Sequence, residues 1–311
     1  MRVRYRLARA IGHIQGLRLG LRRRAVKWLA PPTKIEPVPF ETTFLGGIYR
    51  GDIANMQEWH VYFFGGYELK ELALIADLLT CMERPVAVDV GANLGGHTLV
   101  MARFAAEVHS FEPYPQFADR IEEQLRLNNY DHVHVHRLGL SDRNEKLPYF
   151  FDLASRNQGI GSFIETHNDG RPVATLEVVR ADDYLADRLP RLDFLKIDIE
   201  GSEGPALAGM KTILTRTNPI IMMEVTETSN AQLERLGGLQ RLIPFAFKLY
   251  RIDNPHYVVG LIQTKKYRLV PIRTVEARAH SYNILLVPDS RCEIVTRSLP
   301  NQGKATELAE G

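Results

Sequence analysis

A chain of 311 residues, 45% hydrophobic and 24% charged, has room for one large domain or two modest ones of ordinary globular composition. Its two cysteines, Cys81 and Cys292, can build neither a disulfide framework nor a cysteine zinc motif, so a reducing, cytoplasmic setting is expected. No apolar run approaches the roughly 20 residues needed to span a bilayer. The net charge of +2 conceals an asymmetry: ten arginines and lysines precede Glu36, the first acidic residue, and without them the remainder stands at about −8.

Residues 1–34 form a basic leader. Leu7, Ile11, Ile14 and Leu21 are spaced as one helical face among the arginines. Such a segment either lies on an anionic membrane surface or is a solvated, disordered arm. Arginines interrupt every candidate apolar core of a secretory signal. Pro31-Pro32 ends the segment. Residues 38–66 read as short strands and turns, and Tyr67–Met82 as a helix with Leu69, Leu72, Ile75, Ala76 and Leu79 on one face.

From Val86 the chain alternates as a doubly wound α/β unit. Strands are expected at Val86–Val90, Val108–Phe111, His132–His136, Phe194–Ile199 and Ile220–Val225. Helices are expected from Gly95, over Pro115–Leu127, over Ser202–Thr215 and near Ala231–Leu236. Residues 141–183 break the pattern: Leu147–Leu153 and Thr175–Val179 read as an inserted hairpin around a polar stretch, with Gly159-Ile160-Gly161-Ser162 as a lid turn. Strands near Phe245–Arg251, Tyr257–Ile262 and Asn283–Val287 follow, and residues 299–311 read as a frayed tail.

Val86 to Thr98 carries the strongest chemical signal. An apolar strand ends in Asp89, a glycine turn follows, and Glu112 ends the next strand. At the carboxyl edge of a parallel sheet this arrangement holds a nucleoside, with the second acid accepting ribose hydroxyls. In a dinucleotide fingerprint the second glycine leaves room for a diphosphate; here Asn93 stands in its place, between Gly91 and Gly95. Asp89 beside the turn also disfavours an anion and suits a ligand amine. These features favour S-adenosylmethionine, which has ribose hydroxyls, a sulfonium and an ammonium but no phosphate, over NAD.

The run Leu195 to Glu203 is the second signal. Asp198 and Glu200 alternate with Ile197 and Ile199, which predicts that both acids face one side of a strand, where one carboxyl has a raised pKa and removes a hydroxyl proton. With Glu224 at the end of the next strand, three carboxylates converge on a possible Mg²⁺ site. His97, over the cofactor loop, is a further candidate base. Ser141 lies where an adenine ring would rest. His132, His134 and His136 share a strand face, read as the solvated side of an edge strand. Tyr114, Phe150, Phe151 and Phe163 are candidates to line an acceptor pocket.

At these residues the chain resembles the FkbM family of S-adenosylmethionine-dependent methyltransferases. The matching segments are Val88–Gly95, Phe111–Pro113, Leu140–Asp142, Asp193–Gly201 and Tyr67-Glu68. The resemblance implies a class I methyltransferase (Rossmann-like) fold, a doubly wound sheet that is mostly parallel with an antiparallel C-terminal strand. It covers roughly Tyr67 to Val225, and the pattern along the chain sets the methyltransferase domain at 85–298, with an insertion at 141–183, behind a cap segment at 35–84. The resemblance further implies cofactor binding by Glu68, Asp89, Gly91, Asn93, Gly95 and Glu112, and O-methylation of a hydroxyl on a sugar, glycolipid or secondary metabolite. Two alternatives stand beside this expectation. One is a nucleic-acid methyltransferase, opposed by the acidic body; the other is a catalytically silent adaptor held at the inner membrane face by residues 1–30.

Overall fold

The computed structural model describes residues 3–14, 17–150, 161–164, 171–254, 257–258, 262–263, 267–276 and 280–298. The leader is helical and docked. α1 (Val3–Gly12) and α2 (Leu19–Leu29) pack on each other, and α1 packs on α3 (Met56–Phe64). Arg22 is buried and its guanidinium donates to the Gly12 carbonyl at 2.8 Å, satisfying a carbonyl that the end of α1 leaves open. The Trp59 indole donates to the Ala30 carbonyl at 3.0 Å, tying α3 to the end of α2. The inward side consists of Tyr5, Ala8 and Val26. Of the apolar face expected from Leu7, Ile11, Ile14 and Leu21, Ile11 packs partly against the core, while Leu7, Ile14 and Leu21 point to solvent, 53%, 48% and 38% exposed. Helical spacing identifies a stripe but not what it faces.

A hairpin of β1 (Pro39–Phe44) and β2 (Gly47–Asp52) follows, turned through Leu45 and Gly46, both at positive φ (48° and 86°) as tight two-residue turns require. The strands and turns expected over 38–66 hold only for this first half. Asn55 then caps α3, its side-chain oxygen accepting from the Gln57 and Glu58 amides, and Trp59, Val61, Tyr62, Phe63 and Phe64 are all buried. A helix apolar on nearly every side shows no 3.6-residue alternation to read. Gly65, at φ 84°, ends it, and α4 (Leu69–Thr80) covers the sheet.

The doubly wound unit begins with β3 (Val86–Val90), α5 (Gly96–Phe104), β4 (Glu107–Phe111), α6 (Pro115–Asn128) and β5 (Val133–His136). β6 (Gly139–Ser141), β7 (Glu145–Tyr149) and β8 (Ala174–Arg180) form a separate three-stranded sheet, the expected inserted hairpin joined by one extra parallel strand. α7 (Ala181–Tyr184) leads to β9 (Phe194–Ile197). The single helix expected over Ser202–Thr215 is two, α8 (Glu203–Ala208) and α9 (Lys211–Thr217). Between them Gly209 presses on the Ser141 carbonyl, where a Cβ would lie 1.9 Å away, and Asp182 caps α9 by accepting from the Thr212 and Ile213 amides. That break depends on partners remote in sequence.

β10 (Ile220–Val225), α10 (Glu227–Arg235), α11 (Leu239–Leu242) and β11 (Phe247–Asp253) continue the chain. The short pair β12 (Tyr257–Val258) and β13 (Ile262–Gln263), then β14 (Arg268–Ile272), β15 (Tyr282–Pro288) and α12 (Cys292–Ser298) complete it. Eight strands run in the order β14-β11-β15-β10-β9-β3-β4-β5. β10, β9, β3, β4 and β5 are parallel, and β15 enters antiparallel between β10 and β11. This is the class I methyltransferase arrangement expected above. The residues between β12 and β13, the proposed tail and the inner part of the insertion, with Phe151, Gly159 and Ile160, lie outside the described residues.

Because Trp59 is fully buried and bonded to Ala30, Trp59→Ala should cost about 3–5 kcal/mol in urea unfolding. It should also raise protease sensitivity within residues 1–30. Unchanged cleavage there would show that α3 does not hold the leader.

Candidate active site

The site is built around a buried cation. Lys196 lies on β9 between β3 and β10, and its ammonium stands 3.0 Å from Asp198 Oδ2 and 3.7 Å from Asp89 Oδ1. Burial alone would lower its pKa, but Asp198, Asp89 and Glu68 outweigh this and hold it raised, so Lys196 stays charged. Asp89 is wholly buried and takes a 2.7 Å hydrogen bond from Thr98, whose hydroxyl also lies 3.0 Å from Ser110. Burial raises the Asp89 carboxyl, and Lys196 and Thr98 act against that.

The glycine loop follows Asp89. Gly91 has φ 81° and backs onto the Asp198 carbonyl, where a Cβ would lie 1.9 Å away, so only glycine permits this crossing of β3 and β9. Gly95, at φ 81°, caps α5, and Gly96 beyond it faces open space. Glu112 locks the loop from β4: Oε2 accepts from the Asn93 amide and Oε1 from the Tyr114 amide, both at 2.8 Å. Burial pushes its pKa up to about 7 against these two bonds. Each oxygen keeps lone-pair capacity for another donor.

On the opposite wall Asp198, Glu200 and Glu224 bring one oxygen each within 4.8 Å of one another. They do not arrive as the sequence suggested. β9 stops at Ile197, and Glu200 adopts a left-handed conformation, φ 51°, so a turn and not strand alternation brings the acids together. Glu203 shapes that turn, its Oε1 accepting from the Ile199 and Gly201 amides at 3.0 and 3.2 Å. Ser162 of the insertion donates to the Glu200 carbonyl.

The acids titrate apart. Burial would raise Asp198, but Lys196 prevails and holds it below its ordinary range. Burial, with Asp198 and Glu203 nearby, raises Glu200 to about 7. Burial, Asp198 and Glu200 raise Glu224 to about 10, which keeps it protonated and able to donate to Asp198. Glu68 reaches about 8 through burial, Glu71 and Asp198. His97 lies 3.5 Å from Glu68, and burial and Lys196 hold its pKa down near 3, so its imidazole is neutral.

One cavity joins the two walls. Glu68, Gly91, Asn93, His97, Glu112, Asp198, Glu200 and Glu224 line it; Asp89, Gly95 and Ser141 stand behind the lining. Asp89 is turned inward to Thr98 and Lys196, and Gly139 and Leu140 present themselves where Ser141 was expected. Of the aromatic candidates, Phe163 lines the cavity and Tyr114 supports it by stacking on Tyr149 at 5.7 Å. Phe150 is buried outside the lining. Phe44, Tyr49 and Val61 show that the cap segment forms part of the wall. A second cavity, bounded by Arg23 of α2 and by Asn254, Ser281 and Asn283, shares Tyr67, Glu68 and Glu224 with the first. Lys196 and Glu203 had no role in the sequence reading, although a lysine inside the apolar run Phe194–Ile197 was a usable signal.

Glu68, Glu112, Glu200, Glu203 and Glu224 all have raised pKa values, so the folded chain retains protons that the unfolded chain releases. Stability is therefore greatest below the ordinary carboxylate pKa and is lost as pH rises through the raised values. His97 acts oppositely but only below its ordinary 6.5. The melting temperature of the ligand-free protein should fall from about pH 5 upward, most steeply below pH 7 and more gently from there to about pH 9, where Glu68 and Glu224 are the glutamates of this set still holding protons in the folded chain. Glu224→Gln should flatten that fall and stabilise by about 1–3 kcal/mol near pH 9. Calorimetric scans across this range check both, and a melting temperature that climbs with pH contradicts the assignment.

The sequence profile of the methyltransferase FkbM domain matches residues 89–251, just over half of the chain. The chain is similar to Methyltransferase 1 of Beauveria bassiana, 28% identical over 142 residues, 40% of this chain and 57% of that protein. It is similar to 2-O-methyltransferase NoeI of Sinorhizobium fredii, 27% identical over 166 residues, 48% of this chain and 65% of the relative. Hexuronic acid methyltransferase AglP of Haloferax volcanii is 24% identical over 236 residues, 75% of this chain and 93% of the relative. The matches thus span less than two thirds of the length of the first two relatives. With the profile covering strands β4 to β10 and both walls of the cavity, the chain belongs to the methyltransferase FkbM domain family.

Proposed function

We propose that this protein is an S-adenosylmethionine-dependent O-methyltransferase acting on a hydroxyl of a sugar, glycolipid or secondary metabolite. The observation that carries this is the charge of the cavity wall. Among the described residues Glu68, Glu112, Asp198, Glu200 and Glu224 line it against one cation, Lys196, which Asp198 and Asp89 already neutralise. Such a lining offers a diphosphate no unpaired positive charge, and because Glu68, Glu112 and Glu200 can release protons when a cation arrives, it suits a ligand bearing a sulfonium and an ammonium. The space before Gly96 and the remaining lone pairs of Glu112 fit a nucleoside there, and the Asn93 side chain stands where a dinucleotide needs bare backbone. The names of NoeI and AglP, a 2-O-methyltransferase and a hexuronic acid methyltransferase, support an oxygen acceptor on a sugar.

When bound, S-adenosylmethionine supplies a methyl group activated by its sulfonium. Glu112 would hold the ribose hydroxyls, and Glu68 and Asp198 the cationic end. Glu200 is the residue suited to take the acceptor's proton, because its pKa near 7 leaves it half ionised at neutral pH. His97, neutral and a weak base, orients. Asp198, kept ionised by Lys196, can accept from the acceptor hydroxyl and hold it in line. The second cavity is the entry for the acceptor, since it meets the first at Glu68 and Glu224. A hard divalent cation held by Asp198, Glu200 and Glu224 is the alternative use of that cluster, and activity that requires Mg²⁺ and is lost in EDTA would favour it.

Calorimetric titration with S-adenosylmethionine and S-adenosylhomocysteine should show binding that Glu112→Ala weakens and NAD does not reproduce. Glu200→Gln should retain binding but lose about 10²–10⁴-fold in turnover, along with the rise of activity through pH 7. A folded sample that binds neither sulfur ligand would sink the proposal and favour the silent adaptor. Salt-sensitive binding of RNA or DNA would favour a nucleic-acid substrate.

The leader supports a peripheral membrane role. Val3 and Trp28 are each 82% exposed, Leu7 and Leu21 are exposed as well, and Arg4, Arg6, Arg23, Arg24 and Lys27 surround them. No helix among the described residues is long and apolar enough to cross a membrane. Because α2 borders the second cavity, this surface would bring a lipid-linked acceptor to its entrance. Trp28→Ala with Leu7→Ala should reduce co-sedimentation with vesicles rich in phosphatidylserine, with the fold intact. Equal sedimentation of wild type and variant would exclude the leader as the contact.

A further inference from the structure

The edge of the central sheet carries a cluster that methyl transfer does not use. Glu107 and His109 of β4 and His134 of β5 project from the same face, with His109 directly opposite His134 in the parallel register. Their candidate ligand atoms lie within 4.8 Å of one another. One carboxylate oxygen, Glu107 Oε1, stands 3.1 Å from His109 Nε2 and 3.4 Å from His134 Nε2. Donor atoms around a tetrahedral zinc, with bonds of about 2.0–2.2 Å, are roughly 3.3 Å apart, so these two separations match before any metal binds.

The groups behind the cluster are also those of a metal site. A ligating histidine usually fixes its ring by a hydrogen bond through its other nitrogen. Here His109 Nδ1 lies 3.0 Å from His136 Nε2, and His136 Nδ1 lies 3.1 Å from the Tyr184 hydroxyl. The Nε2 of His109 is thereby directed at Glu107. His136 is further held by stacking on Phe111, ring centres 4.5 Å apart, so the cluster is backed by a side chain that also lines the cofactor cavity. His132, grouped with these histidines in the sequence, belongs elsewhere: it precedes β5 and bonds the Ala102 carbonyl on α5.

We infer that Glu107, His109 and His134 form a Zn²⁺ site that clamps edge strand β5 to β4, with a fourth position open to water. Two imidazoles and one carboxylate suit Zn²⁺ better than Mg²⁺, which prefers an all-oxygen set such as the separate cluster at Asp198. His109 is buried while Glu107 and His134 are 39% and 50% exposed, so the ion can enter from solvent. β5 has four residues and, among the described residues, lies at the edge of the sheet paired only with β4, so a bond between side chains of both strands would restrain it.

The test uses the untagged full chain, stripped with chelator and titrated calorimetrically with Zn²⁺. Co²⁺ absorption reports coordination geometry. The expected result is one Zn²⁺ per chain, a tetrahedral Co²⁺ spectrum and a higher melting temperature with metal, reversed by EDTA. His134→Ala should weaken binding by about tenfold or more and remove the thermal gain, while Glu200→Gln leaves both unchanged. Glu107→Gln is the second variant should His134→Ala fail to fold. Absence of saturable binding, or binding that both edge variants leave intact, overturns the inference. Loss on Glu200→Gln instead would assign the metal to the acidic cluster.

Discussion

Burying Lys196 imposes a condition that the neighbouring structure must meet. An ammonium in the middle of a sheet is tolerable only if carboxylates face it and are themselves bonded. Asp89 faces it from the adjoining strand β3 and Asp198 from the turn that follows β9, and Thr98 secures Asp89. Those bonds set the end of β3 against the end of β9. The same crossing demands glycine at 91, because its backbone touches the Asp198 carbonyl. The loop that faces the cofactor cavity and the turn that presents the acids are thus two sides of one buried ion pair.

Around that pair the site accumulates more acid than it can ionise. Five acidic residues around one cavity, with a single neutralised cation among the described lining residues, push protons onto Glu224 and poise Glu200 near neutrality. Left-handed backbone at Glu68, Asn93 and Glu200 adds local strain at the same place. A ligand with positive charge would relieve both costs. The arrangement trades stability of the empty protein for attraction to such a ligand, a pattern common in sites tuned for binding and proton transfer.

The cap and leader extend this design outward. β1, β2 and α3 wall the cavity, and α2 borders its neighbour. Trp59 and Arg22 hold the leader in place through backbone carbonyls at its two helix ends, so the basic surface is a fixed part of the molecule beside the acidic one. A basic leader and an acidic cavity thereby occupy different places on the chain, each with its own local potential.

Much of this was legible in the chain. Apolar runs ending in Asp89, Glu112 and Glu224, with glycines after the first, identified parallel strands and the edge where their acids gather, because strand period and turn chemistry are local properties. The FkbM motifs named the family for the same reason: they are contiguous. What stayed hidden depends on contacts between distant segments. α3 has no amphipathic period because it is buried nearly all round, the break between α8 and α9 comes from Ser141 and Asp182, and all of the leader's apolar stripe but Ile11 faces outward because Tyr5, Ala8 and Val26 dock instead. Asp89 looked like a ligand contact until Lys196 claimed it, and His109 joined His134 only through the β4–β5 register. Sequence alone determined the doubly wound sheet, the glycine loop and the acids at its rim. Tertiary packing decided which of those acids face the cavity, which are protonated and which are spent on the fold, since burial and charge partners belong to the assembled core and not to any segment of it.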